Sequence, residues 1–209
     1  MNASVKLEPG RMYHIYNRGN NRENIFIKDK NYDFFLKLYE RYICPVADTY
    51  VYCLLRNHFH LMIRVKTEPE IFRLPKSSRL GKSEAGKSEI PEIVSEQFRL
   101  FFMAYSKAIN KQEERTGSLF QKNFRRKEVT TREQSFQLIY YIHRNPAKHG
   151  FTKDFRNYPF SSYFQFVSGS DGFLDQKEVL GWFGTLQEFR AYHEKDRTLD
   201  EKDMEDEGE

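Results

Sequence analysis

The amino-acid sequence predicts an α+β domain with a ferredoxin-like antiparallel sheet, built in the order βαββαβ, with an added C-terminal helix. Three observations carry that prediction. Aromatic and β-branched runs alternate with stretches of three-and-four apolar spacing in the order strand, helix, strand, strand, helix, strand. The run His58-Phe59-His60-Leu61-Met62-Ile63-Arg64-Val65 alternates, so one face of a strand is apolar and the other carries two histidines. A last helical pattern over residues 130–145 falls outside the six-element order and reads as an addition to it.

With 209 residues the chain has room for one well-buried domain and an appendage. Charged residues make up 31% and there are 19 Phe and 13 Tyr, a composition that suits a globular protein with a polar exterior. No apolar run is long enough to span a membrane and the N-terminus has no signal-peptide core, so a cytoplasmic protein is expected. Cys44 and Cys53 lack the spacing of a disulfide framework or a thiolate zinc site and read as packing residues. The net charge of +4 hides an asymmetry. Residues 194–209 hold nine acidic and three basic side chains, a net of −6, which leaves +10 on the rest. A body that basic suits a polyanionic partner, or serves only solubility.

Taken in order, residues 1–10 form a lead-in ending at Pro9-Gly10, and residues 12–17 suit a first strand. The turn Arg18-Gly19-Asn20-Asn21-Arg22 either holds phosphate or a base edge, or is a plain Gly/Asn turn. Asp29 stands where an N-cap would, and Phe34, Phe35, Leu38, Tyr39 and Tyr42 recur at helical spacing. Residues 49–55 and the histidine strand then read as a hairpin joined at Arg56-Asn57. Ser, Lys, Glu, Gly and Pro dominate residues 67–92, a flexible insertion by composition. Val94, Phe98, Phe101, Phe102, Tyr105, Ala108 and Ile109 define a second helix to about Lys111, and residues 119–129 a fourth strand with a basic part. This order makes the first and third strands central, puts both helices on the Phe59 face, and leaves His58 and His60 on an open face where nucleic acid could lie.

In the added helix, Thr130 with Glu133 fits a capping box, and Pro146 is expected to end the helix near Asn145. Gln137, Tyr141 and Asn145 make a polar stripe at i, i+4, i+8, with Phe136, Tyr140 and His143 as core or rim. Taken alone, the His58/His60 pair is either a metal site or two hydrogen-bonded surface residues.

The set Tyr13-His14-Ile15-Tyr16-Asn17-Arg18-Gly19-Asn20-Asn21-Arg22, Asn57-His58-Phe59-His60-Leu61, Gly117-Ser118-Leu119-Phe120-Gln121 and Tyr141-Ile142-His143-Arg144-Asn145-Pro146-Ala147-Lys148-His149-Gly150 resembles the HUH single-tyrosine (Y1) transposases, in particular the REP-associated tyrosine transposase type. The segment Tyr158-Pro159-Phe160-Ser161-Ser162-Tyr163 is similar as well, and the likeness spans roughly residues 11–190. It implies a transposase domain over residues 11–150, a divalent metal (Mg2+ or Mn2+) held by His58 and His60 and completed by Asn145, and Tyr141 as nucleophile. Relatives often carry Pro where this chain has Arg56; the 67–92 insertion and the acidic tail are departures too.

On that resemblance the expected activity is metal-dependent cleavage and strand transfer of single-stranded or hairpin-flanked DNA through a 5′-phosphotyrosine. The alternatives are a domesticated hairpin-binding protein that does not cut and another HUH nuclease, such as a replication initiator. Arg18, Arg22, Lys122, Arg125, Arg126, Arg144 and Lys148 are candidate DNA contacts. His14 either assists the metal or DNA or is a hydrogen-bonded structural histidine, and Gln137 either flanks the site or is solvated. Residues 151–193 are expected to pack on the domain and residues 194–209 to be a disordered acidic tail, while monomer and dimer remain equally open.

Overall fold

Alternation along a strand calls for a different neighbour on each face, and the fold supplies both. The structure, a computed structural model, describes residues 5–72 and 90–197. Strands β1 (Met12–Arg18), β2 (Ala47–Leu55), β3 (His58–Val65) and β4 (Arg125–Val129) form one antiparallel sheet in the order β2-β3-β1-β4. The first and third strands are central, as the ferredoxin-like order requires. In the β1–β3 register Tyr16 faces His60, and His14 faces Met62.

Helices α1 (Asp29–Tyr42), α2 (Glu68–Phe72) and α3 (Ile90–Gln112) come next along the chain. Phe35 of α1 and Phe102 of α3 lie 5.3 and 5.8 Å from the Phe59 ring, which places α1 and α3 on the apolar face of β3. Phe35 and Phe59 are fully buried, each stabilising the fold by about 2–3 kcal/mol, while Phe102 is partly buried. The start of α1 differs from the expected Asp29 cap. Asn31 Oδ1 accepts from the backbone N–H of Lys28 at 2.8 Å and of Ile27 at 3.2 Å, and Asp29 is the first helical residue, where its carboxylate favours the positive helix end.

The stretch read as a flexible insertion contains α2 and the first turn of α3, since Ile71, Ile90 and Ile93 have apolar surface to bury. Residues 73–89 of that stretch lie outside the described residues. The fourth strand is shorter than expected: its ladder with β1 runs over Arg125–Val129, and before it Gln121 N–H makes a separate bond to Arg18 O at 2.9 Å. Asn123 adopts a left-handed φ of 64°, and Phe120 turns into the core against Phe102 and Tyr105, so the chain leaves the strand conformation before residue 125.

The added helix, α4 (Arg132–Lys148), starts one residue later than its expected cap. Thr131 Oγ accepts from Gln134 N–H at 3.1 Å, and the Gln134 side chain accepts from the backbone N–H of Thr130 and Thr131. Nor does α4 stop before Pro146. The proline is buried in the last turn, where His149 N–H reaches Asn145 O at 3.0 Å and Phe151 N–H reaches Pro146 O at 2.8 Å, so the terminal carbonyls stay bonded.

After α4 come α5 (Tyr163–Ser168), α6 (Gln176–Phe183) and α7 (Leu186–Glu194). The outer edge of β2 is capped by backbone bonds from Leu54 N–H to Phe160 O and from Ser162 N–H to Tyr52 O, which blocks further strand pairing there. Residues 195–197 follow α7, and Asp196 pairs with Arg144 at 2.7 Å; residues 198–209 lie outside the described residues.

The expected open face is open over only half its width. Helix α4 lies across β2 and β3, burying His58, His60 and Met62, whereas Arg125 and Lys127 of β4 are exposed. The second half of β2, with Val51, Cys53, Leu54 and Leu55 all buried, needs cover on both sides, and α4 with the chain after it provides the second. Among the described residues no helix is long and apolar enough to cross a membrane.

Candidate active site

A two-residue turn, two strands and one helix build the site. Asn57, in the turn between β2 and β3, has its Oδ1 2.7 Å from His58 Nδ1. A carboxamide oxygen only accepts, so His58 Nδ1 carries the proton that it donates to Asn57. The turn is anchored from the chain after β1: Gly19 N–H donates to Asn57 O at 2.8 Å, and the N–H groups of Ile25 and Phe26 donate to Arg56 O. A Cβ at position 19 would stand 1.9 Å from Glu23 O, so this close approach requires glycine.

Two turns of α4 deliver the other side of the site. Tyr141 and Asn145, one turn apart, both face β3; their exposures are 1% and 0%. Asn145 Oδ1 is 3.4 Å from His58 Nε2, and the Tyr141 ring meets His60 edge-on at 5.4 Å and His14 at 6.1 Å. His14 Nε2 lies 2.9 Å from His60 Nδ1, so His14 orients that imidazole by a hydrogen bond. Burial, reinforced by His14, His58, His149 and Lys148, holds the His60 pKa well below the usual imidazole range. His60 is therefore neutral at pH 7, the form that ligates metals.

Two polar atoms here are orphaned. His60 Nε2 and Asn145 Nδ2 are buried without a hydrogen-bond partner, and such atoms each cost about 1–3 kcal/mol unless something pairs with them. Among the described residues no three His, Cys, Asp or Glu side chains converge as metal ligands, and the Asn145 carboxamide is the group that could add an oxygen to the two imidazoles. A metal held here would take His58 Nε2, His60 Nε2 and Asn145 Oδ1 as its donor set. Its nitrogen content suits Mn2+ better than Mg2+, which prefers oxygen.

The remaining candidates divide by position. Arg18 faces His58 in the β1–β3 register, and Arg125 faces Tyr16 in the β1–β4 register, so both belong to the site side of the sheet. Lys148 Nζ lies 5.3 Å from the centroid of the Tyr141 ring. Gln137 is half-buried one turn before Tyr141; Arg22 and Lys122 are exposed. Arg126 projects to the opposite face, where it bonds Ser95. Arg144 is drawn away from the site: it stacks on Phe155 at 5.1 Å and pairs with Asp196.

Sequence reasoning missed four participants: Tyr16, stacked 5.8 Å from His60; His149, 5.0 Å from the His58 ring; Lys127, facing His14; and the tautomer-setting role of Asn57. Alternation from His14 would have found Tyr16. The i+4 step from Asn145 would have found His149, had Pro146 not suggested that the helix was over.

A buried polar chain backs the helix. Phe189 O can only accept, so His193 Nδ1 donates to it at 2.8 Å. His193 Nε2 then accepts from His143 Nδ1 at 2.9 Å, and His143 Nε2 from Ser162 Oγ at 2.9 Å. His143 therefore ties α4 to α7 and to the strip along β2, and it belongs to the core.

No protein-family model matches the chain, and no curated protein matches it. A solved structure described as the REP-associated tyrosine transposase bound to a REP hairpin superimposes on it with a TM-score of 0.55 at 15% identity, covering 80% of this chain and 84% of that one. At that identity the likeness shows a shared fold.

Proposed function

We propose that this chain is a metal-dependent single-stranded DNA endonuclease and strand transferase of the HUH single-tyrosine kind, with Tyr141 as nucleophile. The observation that carries the reading is the convergence of Tyr141 and Asn145 on His58 and His60, where His60 Nε2 is buried without a partner. Binding alone needs no tyrosine beside paired imidazoles. The likeness in fold to a transposase solved with a hairpin supports DNA as the substrate class.

In this reading Tyr141 Oη attacks a DNA phosphorus in line as it loses its proton, the P–O3′ bond breaks, and a proton reaches the leaving oxygen to give a free 3′-hydroxyl, so that no net proton is consumed. The 5′-phosphate stays on Tyr141 as a phosphodiester of similar energy, so a later 3′-hydroxyl can displace the tyrosine and rejoin strands without ATP. A free phenol with a pKa of about 10 is ionised to roughly one part in a thousand at pH 7. A divalent cation on His58, His60 and Asn145 would polarise the phosphate and offset charge gathering on its oxygens. Asn57 and His14 keep the two imidazoles oriented. Lys148, at the face of the Tyr141 ring, can hold a phosphate oxygen at the mouth of the site.

The test is covalent capture. Labelled hairpin-flanked single-stranded DNA is incubated with the full chain and Mn2+, and the protein is resolved under denaturing conditions. A labelled protein band is expected with wild type and none with Tyr141→Phe, whose DNA affinity should stay near wild type. A persistent adduct in that variant would overturn Tyr141 as nucleophile, equal capture in chelator would overturn the metal, and binding without any capture would leave a hairpin-binding protein.

A further inference from the structure

On the helix side of the sheet, away from Tyr141, a cavity of about 390 Å³ opens between α3 and the chain leading into β4, lined by Asn17, Ser95, Phe102, Phe120, Phe124 and Arg126. Arg126 is its unusual member. The residue lies in register with Ile15 and so projects to the apolar side of the sheet, where its guanidinium sits 4.6 Å over the Phe124 ring. Its Nη1 reaches Ser95 Oγ at 3.3 Å, but its Nε is buried with no hydrogen-bond partner. Burial lowers its pKa, and the charge interaction that opposes this comes from Tyr13 rather than from any described carboxylate. A half-buried cation with a free donor, three Phe rings and a rim of amide and hydroxyl groups is the chemistry of a nucleotide site: a cation for the phosphate or base edge, rings for the base.

The strand that carries Arg126 also connects the cavity to the reaction site. Along β4, Arg125 and Lys127 point to the site face while Arg126 points into the cavity, so one basic edge strand serves both sides of the sheet. On β1, Asn17 lines the cavity and its neighbour Arg18 stands opposite His58. We infer that the DNA strand held at Tyr141 passes over the β4 edge and places one unstacked nucleotide in the Arg126–Phe124 pocket, which makes the pocket a determinant of where the strand is positioned. This rests on the reading of the opposite face as a DNA-processing site.

The test uses the wild-type full chain and an oligothymidylate of about 20 nucleotides substituted with 5-iododeoxyuridine, crosslinked by ultraviolet light and mapped by mass spectrometry. Crosslinks at Phe124, Phe102 or Phe120 are expected. Arg126→Met and Phe124→Ala should each weaken binding of the fluorescein-labelled oligomer roughly tenfold or more, with Arg126→Lys recovering part of the loss. Crosslinks confined to the sheet face, with Arg126→Met binding as wild type, would overturn the pocket. Displacement of the crosslink by dTMP at the same concentration as the oligomer would also overturn it, in favour of a site for free mononucleotides. Capture at Tyr141 without a crosslink at these rings removes the pocket alone; the crosslink without capture keeps the pocket and removes the nuclease reading.

Discussion

His60 has one nitrogen occupied by His14 and the other left bare, whereas His58 has one nitrogen held by Asn57 and the other turned toward Asn145. Each imidazole thus has an orienting partner on one ring nitrogen, and the other nitrogen points into the space shared with Asn145 and Tyr141. Asn57→Ala removes the group that fixes the His58 tautomer. The expected outcome is Mn2+ affinity weakened about 10–100-fold, read by electron paramagnetic resonance titration of free Mn2+; unchanged affinity would argue that Asn57 only shapes the turn. Much of this cluster was legible in the sequence, because a period of two puts His58 and His60 on one face and a period of four puts Tyr141 and Asn145 on another. Arg144 was not. Its sequence neighbours are site residues, yet its guanidinium answers to Asp196 and Phe155, partners that only the folded chain brings near.

At the scale of the element, α4 depends on its ends and on its back. Its capping box forms at Thr131 with Gln134, one residue after the expected Thr130 with Glu133. Thr131→Ala should cost about 1 kcal/mol in urea denaturation, while Thr130→Ala should cost much less. The back of α4 is sensitive to acid. Burial, with Arg144 and Arg197 adding to it, pushes the His193 pKa down to about 4 from about 6.5. Between those values the unfolded chain binds the proton and the folded chain does not, so stability falls as pH drops from about 6.5 and this loss is complete below about 4. The size is about 3 kcal/mol. Urea midpoints should therefore decline over that window. His193→Gln, whose carbonyl can still accept from His143, should decline less steeply; identical pH profiles would mean that His193 titrates normally in the fold.

Over the whole molecule, the sheet order was readable because each strand and helix signals itself locally, and the ferredoxin-like order followed from their succession. Which part of the histidine face remains accessible was not readable. That depends on α4 and the chain after it folding back over β2 and β3, a set of contacts between residues far apart in sequence. The consequence is directional. With β2 capped at its outer edge and β3 covered, the exposed approach to Tyr141 along the sheet is from β4, where Arg125 faces Tyr16 and Lys127 faces His14. A strand of DNA arriving that way would lay phosphates on both cations and release their counterions. Since each phosphate neutralised on single-stranded DNA contributes about 0.7 to the slope of log affinity against log salt, Arg125→Ala with Lys127→Ala should reduce that slope by about 1.4. Arg144→Ala should leave it unchanged, because Arg144 is committed to Asp196 and Phe155. Anisotropy titrations of a labelled single strand across a salt series measure both, and a loss of slope in Arg144→Ala without one in the β4 pair would put the DNA path on the C-terminal side of the sheet instead.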